Sequence, residues 1–184
     1  MGGALERRRR WYLPQLRNAR RALVLGDGDG RFLRELLRQN PAVSADYVDA
    51  SARMLELARR KARTERVNYR KADARTVPLP HDEYDLIATH FFFDCFGQSE
   101  LDALIGRTAA AARPAAQWVV SEFSAASFPA RLLVRALYLF FRIATGLETS
   151  RLADHRPMLR AQGFRLKDAS RSRGGFVVSE LWER

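Results

Sequence analysis

Apolar and polar positions along the chain fall into two rhythms, one of period two or a continuous short run, the other of helical spacing. Residues 4–17 carry Leu5, Tyr12 and Leu16 near one face and arginines on the other, which predicts a helix, with Pro14 forcing a break or a fresh first turn. Ala22-Leu23-Val24-Leu25 is an apolar run stopped by Gly26, the pattern of a buried strand. Gly26-Asp27-Gly28-Asp29-Gly30 reads as a turn. Phe32, Leu33, Leu36 and Leu37 then follow at helical spacing until Asn40-Pro41 ends them. A second strand is expected over 45–48, ending at Asp49. A helix capped by Ser51 follows through Arg63, with Met54, Leu55 and Ala58 on its buried side. Strands are expected at 67–71 and, after the turn-rich 78–82, at 84–89. Ser99 is read as the cap of a helix to about Ala112, Arg113-Pro114 as its stop, and 117–123 as a fifth strand. Helices are expected at about 129–145 and 150–161, the second closed by Gly163. A hairpin of 164–169 and 176–182 around the turn 172–175 ends the chain.

Strands alternating with helices, then a terminal hairpin, describe a doubly wound α/β sheet with an antiparallel element at one edge. The 184 residues and 47% hydrophobic content suit one domain spanning 1–184 with a core of its own. The single cysteine, Cys95, excludes a disulfide framework and a Cys-rich zinc site, and no metal ligands are expected. Ala136 to Phe141, between Arg135 and Arg142, falls far short of the roughly 20 residues of a spanning helix. The basic residues Arg7 to Arg10 lead into no signal-peptide core, so the expected location is cytoplasmic. The formal charge of +11 rests on 32 basic residues of which three are lysines, a bias that a GC-rich, bacterial genome explains as well as a polyanionic partner does.

In an open α/β sheet, ligands bind beyond the carboxyl ends of the strands, where strand order reverses. The loop there, Gly26 to Gly30, lets the backbone approach a ligand closely and precedes a helix N-terminus with free N–H groups. A dinucleotide fingerprint G-x-G-x-x-G requires glycine at position 31 or 33, where the chain has Arg31 and Leu33. The spacing is G-x-G-x-G, and two aspartates inside it repel a pyrophosphate while tolerating an ammonium group. This disfavours NAD. Asp49, at the end of the second strand, is placed to accept the two hydroxyl protons of a ribose. Asp73-Ala74, closing the third strand, offers a carboxylate to an exocyclic adenine amine and a backbone N–H to a ring nitrogen, with Met54 and Leu79 as apolar faces for the base.

These three sites, in order at three successive strand ends, resemble the motifs of the class I S-adenosylmethionine-dependent methyltransferases. The family's glycine motif resembles Ala22 to Phe32, its ribose motif Tyr47 to Leu55, its adenine motif Lys71 to Ala74, and its fourth-strand motif Tyr84 to His90. The resemblance implies a Rossmann-like sheet of seven strands, order 3-2-1-4-5-7-6, with the last strand antiparallel. It implies S-adenosylmethionine as cofactor, S-adenosylhomocysteine as product, and a cofactor site of Gly26, Asp27, Gly28, Gly30, Asp49, Ala50, Met54, Asp73, Ala74 and His90. Relatives often carry an acid two positions before the first glycine; Val24 stands there, and Asp27 is expected to take over the contact with the cofactor's amino group.

On the acceptor side, His90-Phe91-Phe92-Phe93-Asp94-Cys95-Phe96 lacks the Asn/Asp-Pro-Pro-Tyr/Phe pattern of adenine and glutamine methylation. Cys95, flanked by Phe93, Asp94 and Phe96, is read as packing rather than as a nucleophile. His90 and Asp94 are the catalytic candidates, placed where an acceptor approaches the methyl group; His155 is a lesser one. Glu122 ends strand five, and its sequence neighbours add nothing to its case. A helical insertion at about 125–150 is expected to act as a lid: Arg131, Arg135 and Arg142 fall within about 40° of one another at 100° per residue, beside abundant Leu and Phe. Its face suits an apolar acceptor, and its arginines suit an anionic group or peripheral contact with a membrane surface. The expected reaction is therefore methyl transfer to a small apolar or aromatic acceptor at oxygen or carbon. An RNA methyltransferase and a non-catalytic cofactor-binding scaffold are the alternatives. Scattered basic clusters without an attached RNA-binding module speak against the first, so nucleic acid is not the favoured partner. The complete glycine, Asp49 and Asp73 set speaks against the second.

Overall fold

The short apolar runs of the sequence become the inner strands of a sheet. The computed structural model describes residues 2–124, 154–172 and 175–184; the expected lid helix at 129–145 lies outside them. In chain order the elements are α1 (Gly2–Arg9), a 3₁₀ turn (Leu13–Gln15), β1 (Arg21–Leu25), α2 (Arg31–Gln39), β2 (Ser44–Asp49), α3 (Ala52–Ala62), β3 (Val67–Lys71) and β4 (Tyr84–His90). A second 3₁₀ turn (Phe93–Cys95), α4 (Gln98–Ala110), β5 (Ala112–Phe123), α5 (His155–Ala161), β6 (Arg165–Arg171) and β7 (Val177–Glu183) follow.

The strands form one seven-stranded sheet of order β3-β2-β1-β4-β5-β7-β6. β1 to β5 pair in parallel, and β7 runs antiparallel to both β5 and β6. This is the Rossmann-like order expected. Alternation along β1 sends Leu23 and Leu25 into the core on one face and Ala22 and Val24 into the core on the other. The second core takes in Phe32, Leu33 and Leu36 of α2, Leu55 and Ala58 of α3, and Leu13 and Leu16 from the first 3₁₀ turn. The first takes in Leu101, Leu104 and Ile105 of α4 and Met158 and Leu159 of α5, around Trp118 and Trp182. Helices thus cover both faces, and the carboxyl ends of β1, β2, β4 and β5 meet at one rim.

Three boundaries differ from the sequence reading. α1 stops at Arg9, because Pro14 has no N–H to give a helix and sits instead in the 3₁₀ turn that drives Leu13 and Leu16 inward. α4 is capped at Gly97 rather than Ser99: the Glu100 carboxylate reaches back to accept the Gly97 N–H at 3.1 Å. β5 begins at Ala112, through the Arg113-Pro114 pair taken as a stop. Its pairing with β4 starts at Tyr84↔Ala112 and resumes at Leu86↔Gln117. The residues between form a bulge, with Ala115 at φ 61°, which accommodates the proline. Among the described residues no helix is long and apolar enough to cross a membrane.

Candidate functional site

β1 delivers the glycine loop to the rim. Gly26 donates its N–H to the Val48 carbonyl at 3.1 Å and has φ 63°. A Cβ there would lie 2.1 Å from the Phe92 ring, so the β4–α4 loop packs directly on this glycine. Above Gly28 there is open space: a Cβ built on it meets nothing within 4 Å. Tyr47, fully buried on β2, donates its hydroxyl to the Gly28 carbonyl at 2.7 Å and fixes the loop against the second strand.

Neither loop aspartate faces the crevice as expected. Asp27 is 0% exposed; one carboxylate oxygen accepts the Phe32 and Leu33 N–H groups at 3.1 Å each, and the other lies 3.5 Å from the Arg9 guanidinium. The free amides at the start of α2 and the positive end of that helix have captured the side chain. Burial pushes its carboxyl up to about 7 against the pull of Arg9 and the two amides. Asp27 is a helix cap, which corrects its expected contact with an ammonium group. Asp29 pairs with Lys61 and, at 2.9 Å, with Arg31, and these partners hold it below the ordinary range despite the opposing effect of burial.

Asp49 stands half-buried at the end of β2. Its Oδ1 accepts the Ser51 N–H at 2.8 Å, and burial raises its carboxyl while the Ser51 and Gly28 amides lower it. Ala50 is exposed beside it, and Met54 is half-buried on the first turn of α3. Asp73 is gripped by Arg75, whose Nε lies 3.1 and 3.0 Å from its two carboxylate oxygens and whose Nη2 lies 2.7 Å from the second. That pairing lowers its acidity range and competes with the expected adenine contact. Ala74 next to it is buried, and Leu79 packs against the same core.

The rim residues fit a nucleoside-bearing group at its ribose end. Gly28 leaves room for close approach, Asp49 presents a carboxylate at the strand end, and Met54 and Leu79, both partly buried, are the apolar side chains expected for the base. The fit is loosest at the amino-acid end, where Asp27 is turned inward.

The two catalytic candidates part company. His90 is 2% exposed, its ring 4.4 Å from that of Phe32, and neither ring nitrogen has a hydrogen-bond partner. Burial, then the Arg9 charge, push it down to about 3, so it is neutral at physiological pH and enclosed in the core. Asp94 instead opens onto a cleft of about 280 Å³ beyond β5 and β7, with Phe93, Glu122, Phe123, His155, Arg156, Val178 and Glu180 on its walls.

Glu122, passed over in the sequence, is central there. It is 4% exposed, and its Oε1 accepts the Phe92 and Phe93 N–H groups at 3.0 and 2.9 Å, which sets the loop that covers Gly26. Its Oε2 is buried with no partner. Burial, then the Asp94 charge, hold its carboxyl well above the ordinary range. Burial raises Asp94 as well. Behind them Glu180, 0% exposed, accepts from His155 Nε2 at 2.8 Å, Arg156 Nε at 2.7 Å and Trp182 Nε1 at 2.9 Å. Although burial opposes it, these partners hold Glu180 down at about 2. An acid closing an otherwise buried strand, as Glu122 does, was the signal available for this side of the site.

His90 supplies a pH prediction. An unfolded histidine takes a proton near pH 6.5, whereas folded His90 resists it to about 3. The stability it contributes is therefore present above pH 6.5 and lost as pH falls toward 3, by about 1.4 kcal/mol per pH unit. Asp27, raised in the fold, acts in the opposite sense over the same window, but equally in wild type and in His90→Phe. In paired melts from pH 7 to 4, wild type is expected to lose stability relative to His90→Phe steadily below 6.5. A pH-independent gap would show that His90 takes its proton as readily in the fold as in the unfolded chain.

The family model described as a methyltransferase domain matches residues 22–115. No curated protein matches the chain in sequence. Among solved structures, an S-adenosylmethionine-dependent methyltransferase from Mesorhizobium loti is 17% identical, with 98% of this chain and 100% of that chain covered and a TM-score of 0.76. The N-methyltransferase NodS from Bradyrhizobium japonicum is 13% identical over 98% and 96%, with a TM-score of 0.70. A putative O-methyltransferase from Nostoc punctiforme is 17% identical over 100% and 58%, with a TM-score of 0.77. At such identities the likeness to solved structures is one of fold.

Proposed function

The chain belongs to the class I, S-adenosylmethionine-dependent methyltransferases, and from that premise we propose that it methylates a small acceptor held in the cleft beyond β5 and β7. The observation that carries this reading is the cleft itself, which opens beside the turn that Glu122 holds against Gly26. When bound, S-adenosylmethionine supplies a methyl group on a sulfonium whose leaving group is already activated, so proximity and alignment provide much of the acceleration.

The protein's own residues have three tasks. Asp49 accepts hydroxyl protons of the ribose, and Gly28 lets the backbone come close. Phe92 packs on Gly26, and the Glu122 carboxylate accepts hydrogen bonds from the Phe92 and Phe93 amides, which ties the first glycine to the cleft wall. Phe93, Phe123 and Val178 line part of the cleft and suit the apolar or aromatic body expected of the acceptor. Asp94 stands on the wall where the acceptor's reactive group enters.

Incubating the protein with methyl-labelled S-adenosylmethionine and a fractionated cell extract tests this. Label is expected in the small-molecule fraction. Label confined to RNA would support the nucleic-acid enzyme, and folded protein that labels neither would support the non-catalytic scaffold.

A further inference from the structure

We propose that the acceptor is an amine, and that its ammonium group docks between Asp94 and Glu122. The proposal rests on the cleft being the acceptor site, and it shifts the methylated atom from the oxygen or carbon expected from the sequence to nitrogen.

The charges around the cleft carry the argument. Of its four acidic side chains, Glu180 is fully engaged, by Arg156, His155 and the Trp182 indole, and Asp154 accepts the Arg156 amide at 3.2 Å. Among the described residues Asp94 and Glu122 have no cationic partner: the hydrogen bonds of Glu122 come from backbone amides, and the side-chain bond of Asp94 comes from the Cys95 thiol at 3.9 Å. Two carboxyls share a wall, and the buried Oε2 of Glu122 accepts from nothing. A buried acceptor atom without a donor is costly, and a pair of neighbouring carboxylates is costly again through mutual repulsion. Each carboxyl is accordingly raised above its ordinary range. A ligand with several N–H donors and a positive charge relieves both penalties. A hydroxyl brings one donor and no charge, and an aromatic carbon brings neither.

The same pair serves the chemistry. An ammonium has no lone pair, so one N–H proton must leave before the nitrogen attacks, and raised carboxyls are the bases at hand. The carbon–nitrogen bond forms as the carbon–sulfur bond breaks, the electron pair of the latter leaves on sulfur, and the displaced proton remains on the carboxyl pair until water removes it. Phe93, Phe123 and Val178 receive the body of the amine.

Matched probes decide the matter: 2-phenylethylamine against 2-phenylethanol, and tryptamine against tryptophol, titrated into protein saturated with S-adenosylhomocysteine. At least one amine is expected to bind about tenfold or more tightly than its alcohol, the range of a charge-assisted hydrogen bond. Glu122→Gln, which keeps the oxygen that accepts the Phe92 and Phe93 amides, and Asp94→Asn should each erase that preference without altering alcohol binding. Melting curves and S-adenosylhomocysteine affinity, measured on each variant, establish that the fold and the cofactor side are intact. Equal affinity for amine and alcohol, a preference that survives both substitutions, or no binding of any probe to the loaded protein overturns the proposal. Failure of wild type to bind S-adenosylhomocysteine overturns instead the reading on which it rests.

Discussion

Asp49→Ala is expected to weaken S-adenosylhomocysteine binding by about 1.5–3 kcal/mol, the range for hydrogen bonds to a charged group. That is about a ten- to hundredfold rise in the dissociation constant, read by calorimetric titration. The carboxylate stands half-buried at the end of β2, with the Ser51 amide on its Oδ1. It is therefore already oriented, and little ordering is needed when a ribose arrives. The fold should survive the change, because Ser51 still caps α3 through its Oγ, 3.3 Å from the Met54 amide. Unchanged affinity in the variant would mean that the ribose site lies elsewhere.

Gly30→Ala is expected to cost far more in stability than in binding. Gly30 has φ 75°, and a Cβ on it would sit 2.6 Å from the Ala58 Cβ and 2.7 Å from the Ala58 Cα. The left-handed backbone costs an L residue about 1–2 kcal/mol, and overpacking against the backbone of α3 adds about 1–3 kcal/mol. For a domain of this size the melting temperature should fall by roughly 5–15 °C. Because Ala58 belongs to a helix rather than to a flexible side chain, the clash cannot be relieved by a rotamer change. A variant that melts with wild type would show that α2 and α3 are not packed this closely.

How much of this was legible in the sequence depends on the reach of the interaction. Val24 and Leu25 between two turn signals, or Val67 to Lys71 in alternation, declare a strand within their own few residues. Ordered strand ends then place Gly26, Asp49 and Asp73 on one rim, and the structure has them there. The side chains' partners were not legible. Nothing near Asp27 in sequence says that its carboxylate turns into the first turn of α2 rather than outward, since that is settled by helix amides and by Arg9 arriving from α1. Arg75 follows Asp73 closely enough to be suspected, but whether it pairs is decided by rotamer and exposure. Glu122 gains its importance from Phe92, Phe93 and Asp94, about thirty residues earlier, brought beside it by the pairing of β4 with β5. His90, at the end of a strand whose register is plain, is buried with the Phe32 ring packed against its own. Cys95, read in the sequence as packing, is exposed instead; desolvation, then Asp94 and Glu122, push its thiol up to about 12, which argues against a nucleophile.

The measurement that bears most directly on the whole account is a calorimetric titration of the folded wild-type protein with S-adenosylhomocysteine and, in parallel, with NAD. Saturable binding of one S-adenosylhomocysteine per chain, with no heat from NAD, is the result that the open Gly28, the strand-end Asp49 and the G-x-G-x-G spacing predict. A folded chain that gives no heat with S-adenosylhomocysteine, or that binds NAD in its place, would contradict it.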